Sequence, residues 1–230
     1  LKDMKAIYYG HSSVLLELEG ATVLFDPFIS PNPKAAAIDI NQLKPDYIAL
    51  SHAHEDHVAD VVAIQKNSGA TVLAVVETAM WVNQQQIPES SIIPFNFGGT
   101  VQTDFGSIKM VYALHTNAAP NGQYAGAPAG YVLKSGGKTI YYAGDTALTL
   151  EMKLLEKERI DWAFLPIGGH YTMDVDDAIT ACSFINCNRV IGMHYDTFPP
   201  ITIDQEVARQ KFADVGLELH LPGIGGEIIL

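Results

Sequence analysis

The chain has 230 residues, 48% of them hydrophobic, enough to bury a sizeable core in one large domain or in two fused halves. Its 26 acidic residues outnumber 14 basic ones, and the resulting formal charge of −12 repels phosphate backbones and argues against nucleic-acid partners. No apolar run approaches the roughly 18 residues a membrane helix needs, and the start lacks a signal-peptide core, so no membrane partner and a cytoplasmic location are expected.

Leu1-Lys2-Asp3 precedes Met4 and is assigned no element. Residues 4–8, 14–19 and 22–25 read as strands, the latter two joined by a tight Glu19-Gly20-Ala21 connection. The third delivers Asp26-Pro27, and the Pro-rich Ser30-Pro31-Asn32-Pro33 that follows reads as a loop. The β-branched and aromatic run 47–50 is a further strand, ending at Ser51. A helix is predicted over 58–67, closed by Gly69, then a strand over 71–76 and a short helix around 79–85. This is β-α-β alternation.

Residues 92–97, 100–103 and 107–114 are strand candidates, the last ending on His115. Residues 116–128 are nearly all Asn, Ala, Pro, Gly and small polar types, an irregular loop placed to shape a substrate entrance. A second hairpin, 130–134 and 138–142 about Gly136-Gly137, ends at Gly144-Asp145. Its order of strand, Gly turn, strand and Asp echoes residues 14–26, which suggests one domain over 1–230 with two similar halves, roughly 1–125 and 126–230. Helices over 148–158, 174–184 and 204–215, with strands over 162–166, 189–194, 218–221 and 227–230, complete the pattern. Asp204 is positioned to cap the last helix. Two mixed sheets packed face to face with helices outside are expected.

The central stretch is His52-Ala53-His54-Glu55-Asp56-His57, which holds three of the chain's eight histidines directly after a strand. Side chains of an extended segment alternate, so His52 and His54 point the same way and can grip one ion; Asp56 and His57 lie where the chain turns into a helix and can be aimed at a second. Imidazole with carboxylate suits Zn²⁺, Mn²⁺ or Fe²⁺.

His-x-His-x-Asp-His after a strand resembles the signature of the metallo-β-lactamase superfamily. That family's pattern continues with a lone His, an Asp and a last His at strand ends, positions filled here by His115, Asp145 and His194. The resemblance implies an αββα sandwich of α/β (α+β) class, with His52, His54 and His115 holding one divalent metal and Asp56, His57 and His194 another. Asp145 would bridge the two. Zinc is the first expectation, with Mn, Fe or Ni as alternatives. The flanks Gly10-His11-Ser12-Ser13, Phe25-Asp26-Pro27, Gly144-Asp145-Thr146 and Pro166-Ile167-Gly168-Gly169 further resemble small metal-dependent hydrolases related to ascorbate-6-phosphate lactonase.

The chemistry so implied is hydrolysis of a small-molecule ester, lactone or phosphoester by water activated at a dinuclear site, with no Ser or Cys nucleophile. Asp56 doubles as catalytic acceptor orienting that water, and His11 is expected beside the metals as a general acid or substrate contact. Asp26 is expected to accept a hydrogen bond from a ligand histidine. Asp145 stands where β-lactamases of the superfamily often carry Cys, which disfavours lactam cleavage. His54 stands where flavo-diiron enzymes of the fold tend to have Glu, which disfavours redox chemistry. An iron-dependent redox enzyme and a non-catalytic metal-binding protein are the competing readings; a homo-oligomer is compatible with the sequence. Cys182 and Cys187 read as buried, reduced thiols, His170 as a surface loop residue or, like His11, a general acid or substrate contact, and His220 is given no role.

Overall fold

The computed structural model describes residues 3–230, so Leu1 and Lys2 lie outside it. Alternation of side chains in each strand decides how the layers stack. In β2 (Ser13–Glu17), Val14 and Leu16 point into the core between the sheets, and Leu15 packs in the opposite direction, under the helices. β4 (Tyr47–Ala49) and β5 (Thr71–Val75) do the same: Ala49, Leu73 and Val75 face the inter-sheet core while Ile48, Val72 and Ala74 face outward. A strand covered on both faces reads as the continuous apolar run seen here.

The remaining strands are β1 (Lys5–Gly10), β3 (Thr22–Phe25), β6 (Ile92–Phe95), β7 (Thr100–Thr103), β8 (Gly106–Tyr112), β9 (Ala129–Ser135), β10 (Lys138–Tyr142), β11 (Trp162–Pro166), β12 (Arg189–Met193), β13 (Glu218–His220) and β14 (Glu227–Ile229). They form two seven-stranded sheets, ordered β14-β1-β2-β3-β4-β5-β6 and β7-β8-β9-β10-β11-β12-β13. In both sheets the first three pairings in that order are antiparallel and the last three parallel. The chain changes sheets between Phe95 and Thr100, earlier than residue 125, and returns at the end to lay β14 against β1. Helices α1 (Glu55–Val58), α2 (Val61–Ser68) and α3 (Val76–Gln84) lie with the first sheet; α4 (Val175–Ile185) and α5 (Gln205–Asp214) cover the second. The architecture is the expected four-layer αββα sandwich of two mixed sheets.

Three local expectations change. The helix predicted over 58–67 begins at Glu55 and breaks before Val61, because the buried Asp60 turns away to accept the amides of Ile29 and Ser30, at 2.6 and 2.8 Å. The segment predicted as an α-helix over 148–158 is a 3-10 helix, Leu150–Glu158, whose buried Met152 and Leu155 fall three residues apart, the spacing that a three-residue turn brings onto one face. Residues 116–128 are irregular as expected but firmly tied. Asn117 is buried, its Oδ1 accepts the Ala53 amide at 2.8 Å, and its Nδ2 donates to the Ala125 carbonyl at 2.8 Å. Ala119 and Ala125 pack into the core beneath α3.

Candidate metal centre

The expected site residues gather along one edge of the sandwich, at strand ends and on the short helix α1. His52 and His54 follow β4 in extended backbone, their rings on the same side, with His52 Nε2 and His54 Nδ1 2.9 Å apart. His115 follows β8 and joins them: one ligand atom each from His52, His54 and His115 lies within 4.8 Å of the others. Asp56 and His57 stand on the single turn of α1, closed by the His57 amide donating to the His54 carbonyl at 2.9 Å. With His194, just past β12, and His11, just past β1, they make a second such group. Asp145, after β10, lies between the two: its Oδ2 is 3.0 Å from His194 Nε2, 3.4 Å from His57 Nε2 and 3.6 Å from His115 Nε2.

The backbone is bent to achieve this. His11, Asp26 and His194 all have positive φ, at 54°, 40° and 55°, a conformation non-glycine residues seldom adopt and one that concentrates at functional sites. Gly144, at φ 63°, lets the second sheet approach the motif; a Cβ there would lie 2.7 Å from Ser51 Cβ and 2.8 Å from the Ala129 carbonyl oxygen.

A ring of buried acceptors aims the imidazoles. Asp26 Oδ2 accepts from His57 Nδ1 at 2.9 Å and from Ser51 Oγ at 2.5 Å, while Oδ1 accepts the Ser51 amide at 2.7 Å. Ser51 Oγ is in turn 2.9 Å from His52 Nδ1, so one carboxylate orients His57 directly and His52 through a hydroxyl. The Tyr142 hydroxyl, from the other sheet, completes the set 2.9 Å from Asp26 Oδ2. His11 is buried, with Nε2 3.0 Å from Asp56 Oδ2 and Nδ1 2.9 Å from Thr197 Oγ1.

Electrostatics sort these groups as a cation would require. Burial, followed by repulsion from His57, pushes His52 well below the ordinary imidazole range, and burial likewise lowers His54 and His115, leaving lone pairs free to ligate. Burial opposes ionisation of Asp145 and Asp56, but the imidazoles of His194 and His57 around the first, and of His57 and His11 around the second, hold both well below the carboxylate range. For His57 burial is again outweighed: Asp145, Asp26 and Asp56 together raise it well above the usual value, so a proton sits where three carboxylates call for positive charge. His57 Nε2 and Asp145 Oδ1 are buried without a hydrogen bond, an arrangement costly for a protein and natural for ligand atoms facing a cation. The donor set fits divalent metal.

Residues 5–194 match the beta-lactamase superfamily domain. The chain belongs to that superfamily. Over 228 residues it is 46% identical to a UPF0173 metal-dependent hydrolase of Flavobacterium johnsoniae, covering 99% of this chain and 100% of the relative. A relative of the same description from Thermus thermophilus is 40% identical over 213 residues, 93% of each chain. Among solved structures, Igni18, a metallo hydrolase from Ignicoccus hospitalis, is 31% identical with a TM-score of 0.88 over 99% of this chain and 98% of its own. The fold is the metallo-β-lactamase fold, and this superfamily member is a metal-dependent hydrolase.

Several residues that build the site escape a reading of the sequence. Ser51 could have been found, since it touches the motif; Tyr142, Thr197 and Asn117 arrive from distant elements with no local signal. Phe28, Phe198 and Tyr171 belong here too. With Glu55 and Asp56 they line a cleft of about 450 Å³ opening beside the ligand groups, and no residue of 116–128 contributes to it. Exposed His170 packs its ring against Tyr171. His220, in β13, packs on Trp162 far from the centre. Cys182 and Cys187 are free and buried.

Proposed function

We propose that this hydrolase cuts an ester, lactone or phosphoester bond in a small molecule, using two divalent cations, zinc before manganese, iron or nickel. The observation that carries the reading is the convergence of two groups of ligand atoms on one shared carboxylate, Asp145 Oδ2. His52, His54 and His115 would hold one cation, Asp56, His57 and His194 the other, with Asp145 between them. Bound there, divalent cations supply Lewis acidity and lower the pKa of water from 15.7 to about 7.

The side chains supply direction and proton traffic. Asp56 Oδ2 accepts a hydrogen bond from the attacking water and orients it, and His11 Nε2, 3.0 Å from that same oxygen, fixes the carboxylate. Burial pushes His11 down to about 4, so at neutral pH it is an uncharged donor to Asp56, with Thr197 serving its other nitrogen. The water oxygen bonds to the electrophilic carbon or phosphorus, the bond to the leaving oxygen breaks, and the proton shed by water ends on that oxygen, Asp56 accepting its hydrogen bond during the transfer. His11 therefore acts through Asp56, because its ring is buried with both nitrogens engaged, one by Asp56 and the other by Thr197.

The acidic charge and the small cleft favour a small-molecule substrate over nucleic acid. Among the described residues no helix is long and apolar enough to cross a membrane. Metal analysis of the purified protein, followed by a panel of esters, lactones and phosphodiesters with and without chelator, tests the proposal. Two metal equivalents and chelator-sensitive hydrolysis are expected; a single equivalent at saturation, or turnover indifferent to chelation, refutes it.

A further inference from the structure

The cleft beside the ligand groups has walls of one chemical kind. Phe28 and Phe198 pack at a tilt, ring centroids 6.2 Å apart and ring planes 53° from parallel, and Tyr171, 53% exposed, lines the same cleft. Three aromatic side chains lining one small cavity give it an apolar surface that a substrate can cover. Phe28 is held by the site itself: its amide donates to Ser13 Oγ at 2.8 Å, and Ser13 Oγ donates to the Asp26 carbonyl at 2.7 Å. Phe198 follows Thr197, the partner of His11. The wall is thus built from the same turns that place Asp26 and His11.

The charged groups of the cleft carry only negative sign. Its lining has two carboxylates, Glu55 and Asp56, and neither Lys nor Arg. Lys34 lines the neighbouring cleft on the other side of His11, where its Nζ donates to the Asp196 carbonyl. Away from the metal cations proposed above, recognition of a phosphate or carboxylate uses Arg or Lys forks or clustered amides; this cavity offers aromatic side chains in their place.

We propose that the substrate carries an uncharged apolar group, aromatic or branched aliphatic, which sits against Phe28, Phe198 and Tyr171 and places a neutral ester or lactone bond beside Asp56. This narrows the hydrolase reading above and rests on it for the reaction; the recognition of the apolar group stands on the cavity alone. Phosphoesters and acids bearing a carboxylate beside the scissile bond are disfavoured.

The experiment separates the two. Protein labelled with ¹³C at phenylalanine, in metal-loaded and metal-free forms, is titrated with benzyl alcohol, benzoate and inorganic phosphate, and the same metal-loaded protein is assayed on a neutral phenyl-substituted lactone, its carboxylate-bearing analogue and a phenyl phosphodiester. Benzyl alcohol is expected to shift the Phe28 and Phe198 resonances in both forms and to bind at least tenfold tighter than benzoate in the metal-free form. The neutral lactone should have the highest kcat/KM. Phe198→Ala should raise KM for it about tenfold, as for loss of a hydrophobic contact, with metal content unchanged, and Tyr171→Ala should raise it about threefold. Shifts without hydrolysis of any compound would uphold the apolar pocket and sink the hydrolase reading. Preferred hydrolysis of the phosphodiester or the carboxylate analogue, or tighter binding of benzoate or phosphate to the metal-free protein, would overturn the substrate class while leaving the hydrolase standing.

Discussion

Asp26→Asn isolates what the buried acceptors contribute to metal affinity. Asparagine tolerates the positive φ of 40° at this position and is nearly isosteric, so the backbone is spared. The chemistry is not. Asp26 receives four donors: the Ser51 amide at Oδ1, and Ser51 Oγ, His57 Nδ1 and the Tyr142 hydroxyl at Oδ2. The amide oxygen can keep the Ser51 amide, but its NH₂ then faces three groups arranged to donate. His57 loses a charge-assisted acceptor, about 1.5–3 kcal/mol in a buried setting. Outer partners of metal ligands are worth about 10–100-fold in affinity, so both lines converge on about 2 kcal/mol, or about thirty-fold in Kd. Competition titration of the metal-free variant with zinc against a chelator of known affinity reads this directly. Ser51→Ala, which interrupts only the relay to His52, should show a smaller loss. Zinc affinity of Asp26→Asn within about threefold of the parent would refute the claim that Asp26 aims His57 at a cation.

Asp145→Ala should lose more than one metal equivalent and nearly all hydrolysis, because its Oδ2 faces both ligand groups; two equivalents retained in metal analysis would contradict the shared-carboxylate reading. Cys182→Ala and Cys187→Ala should keep full turnover, since burial pushes the Cys182 thiol up to about 12 and raises Cys187 as well; loss of activity with fold and metal content intact would count against a water nucleophile. The metal-free protein should lose stability as pH falls from 6.5 towards 4. His11, His52, His54 and His115 bind protons less readily folded than unfolded, so their contribution is complete above 6.5 and is lost on acidification. His11 alone, lowered from 6.5 to about 4, contributes about 3 kcal/mol. His57, shifted the other way, gains a little stability as the unfolded imidazole protonates near 6.5 and nothing further below that, so it offsets only a small part of the loss from four lowered imidazoles. Thermal unfolding after chelation, at pH 7 and pH 4.5, checks the sign; equal stability at both would refute it.

The layers were legible because each depends on local pattern. Alternation marks the hairpins, and continuous apolar runs at 47–50 and 162–166 mark strands covered on both faces. The histidine motif was legible because its residues are sequence neighbours whose spacing is itself geometry. What stayed hidden depends on distance along the chain. Tyr142 lies 116 residues from the Asp26 it meets, and Thr197 lies 186 from His11; no periodicity reports such contacts. The break at Asp60 was hidden for the same reason, since a buried carboxylate that caps residues 29 and 30 looks in sequence like an ordinary helical Asp. The loop 116–128 was read from composition alone, and composition does not reveal that a single Asn ties it to Ala53 and, across the loop itself, to Ala125.

The shared order of the two sheets explains why one edge of the molecule gathers so many strand ends. Read in sheet order, β1 corresponds to β8 and β3 to β10, with the same sequence of antiparallel and parallel pairings around each. β1 delivers His11 where β8 delivers His115, and β3 delivers Asp26 where β10 delivers Asp145. The corresponding members differ in what they face. His115 and Asp145 lie 3.6 Å apart and look into the ligand groups, whereas His11 turns to Asp56 and Asp26 turns to His57 and Ser51. Asp26 is wholly buried and Asp145 nearly so; the difference between them is in their neighbours. Asp26 meets hydrogen-bond donors on both oxygens, while Asp145 keeps one oxygen without a hydrogen bond and the other within reach of three imidazoles. A carboxylate that already accepts four donors gains less from a cation than one whose oxygen has none, although Asp26 also lies within ligand distance of His52 and His57. The same position in sheet order thus yields an orienting residue in one sheet and a candidate ligand in the other, and swapping the two chemistries requires changing the surrounding donors rather than the aspartates themselves.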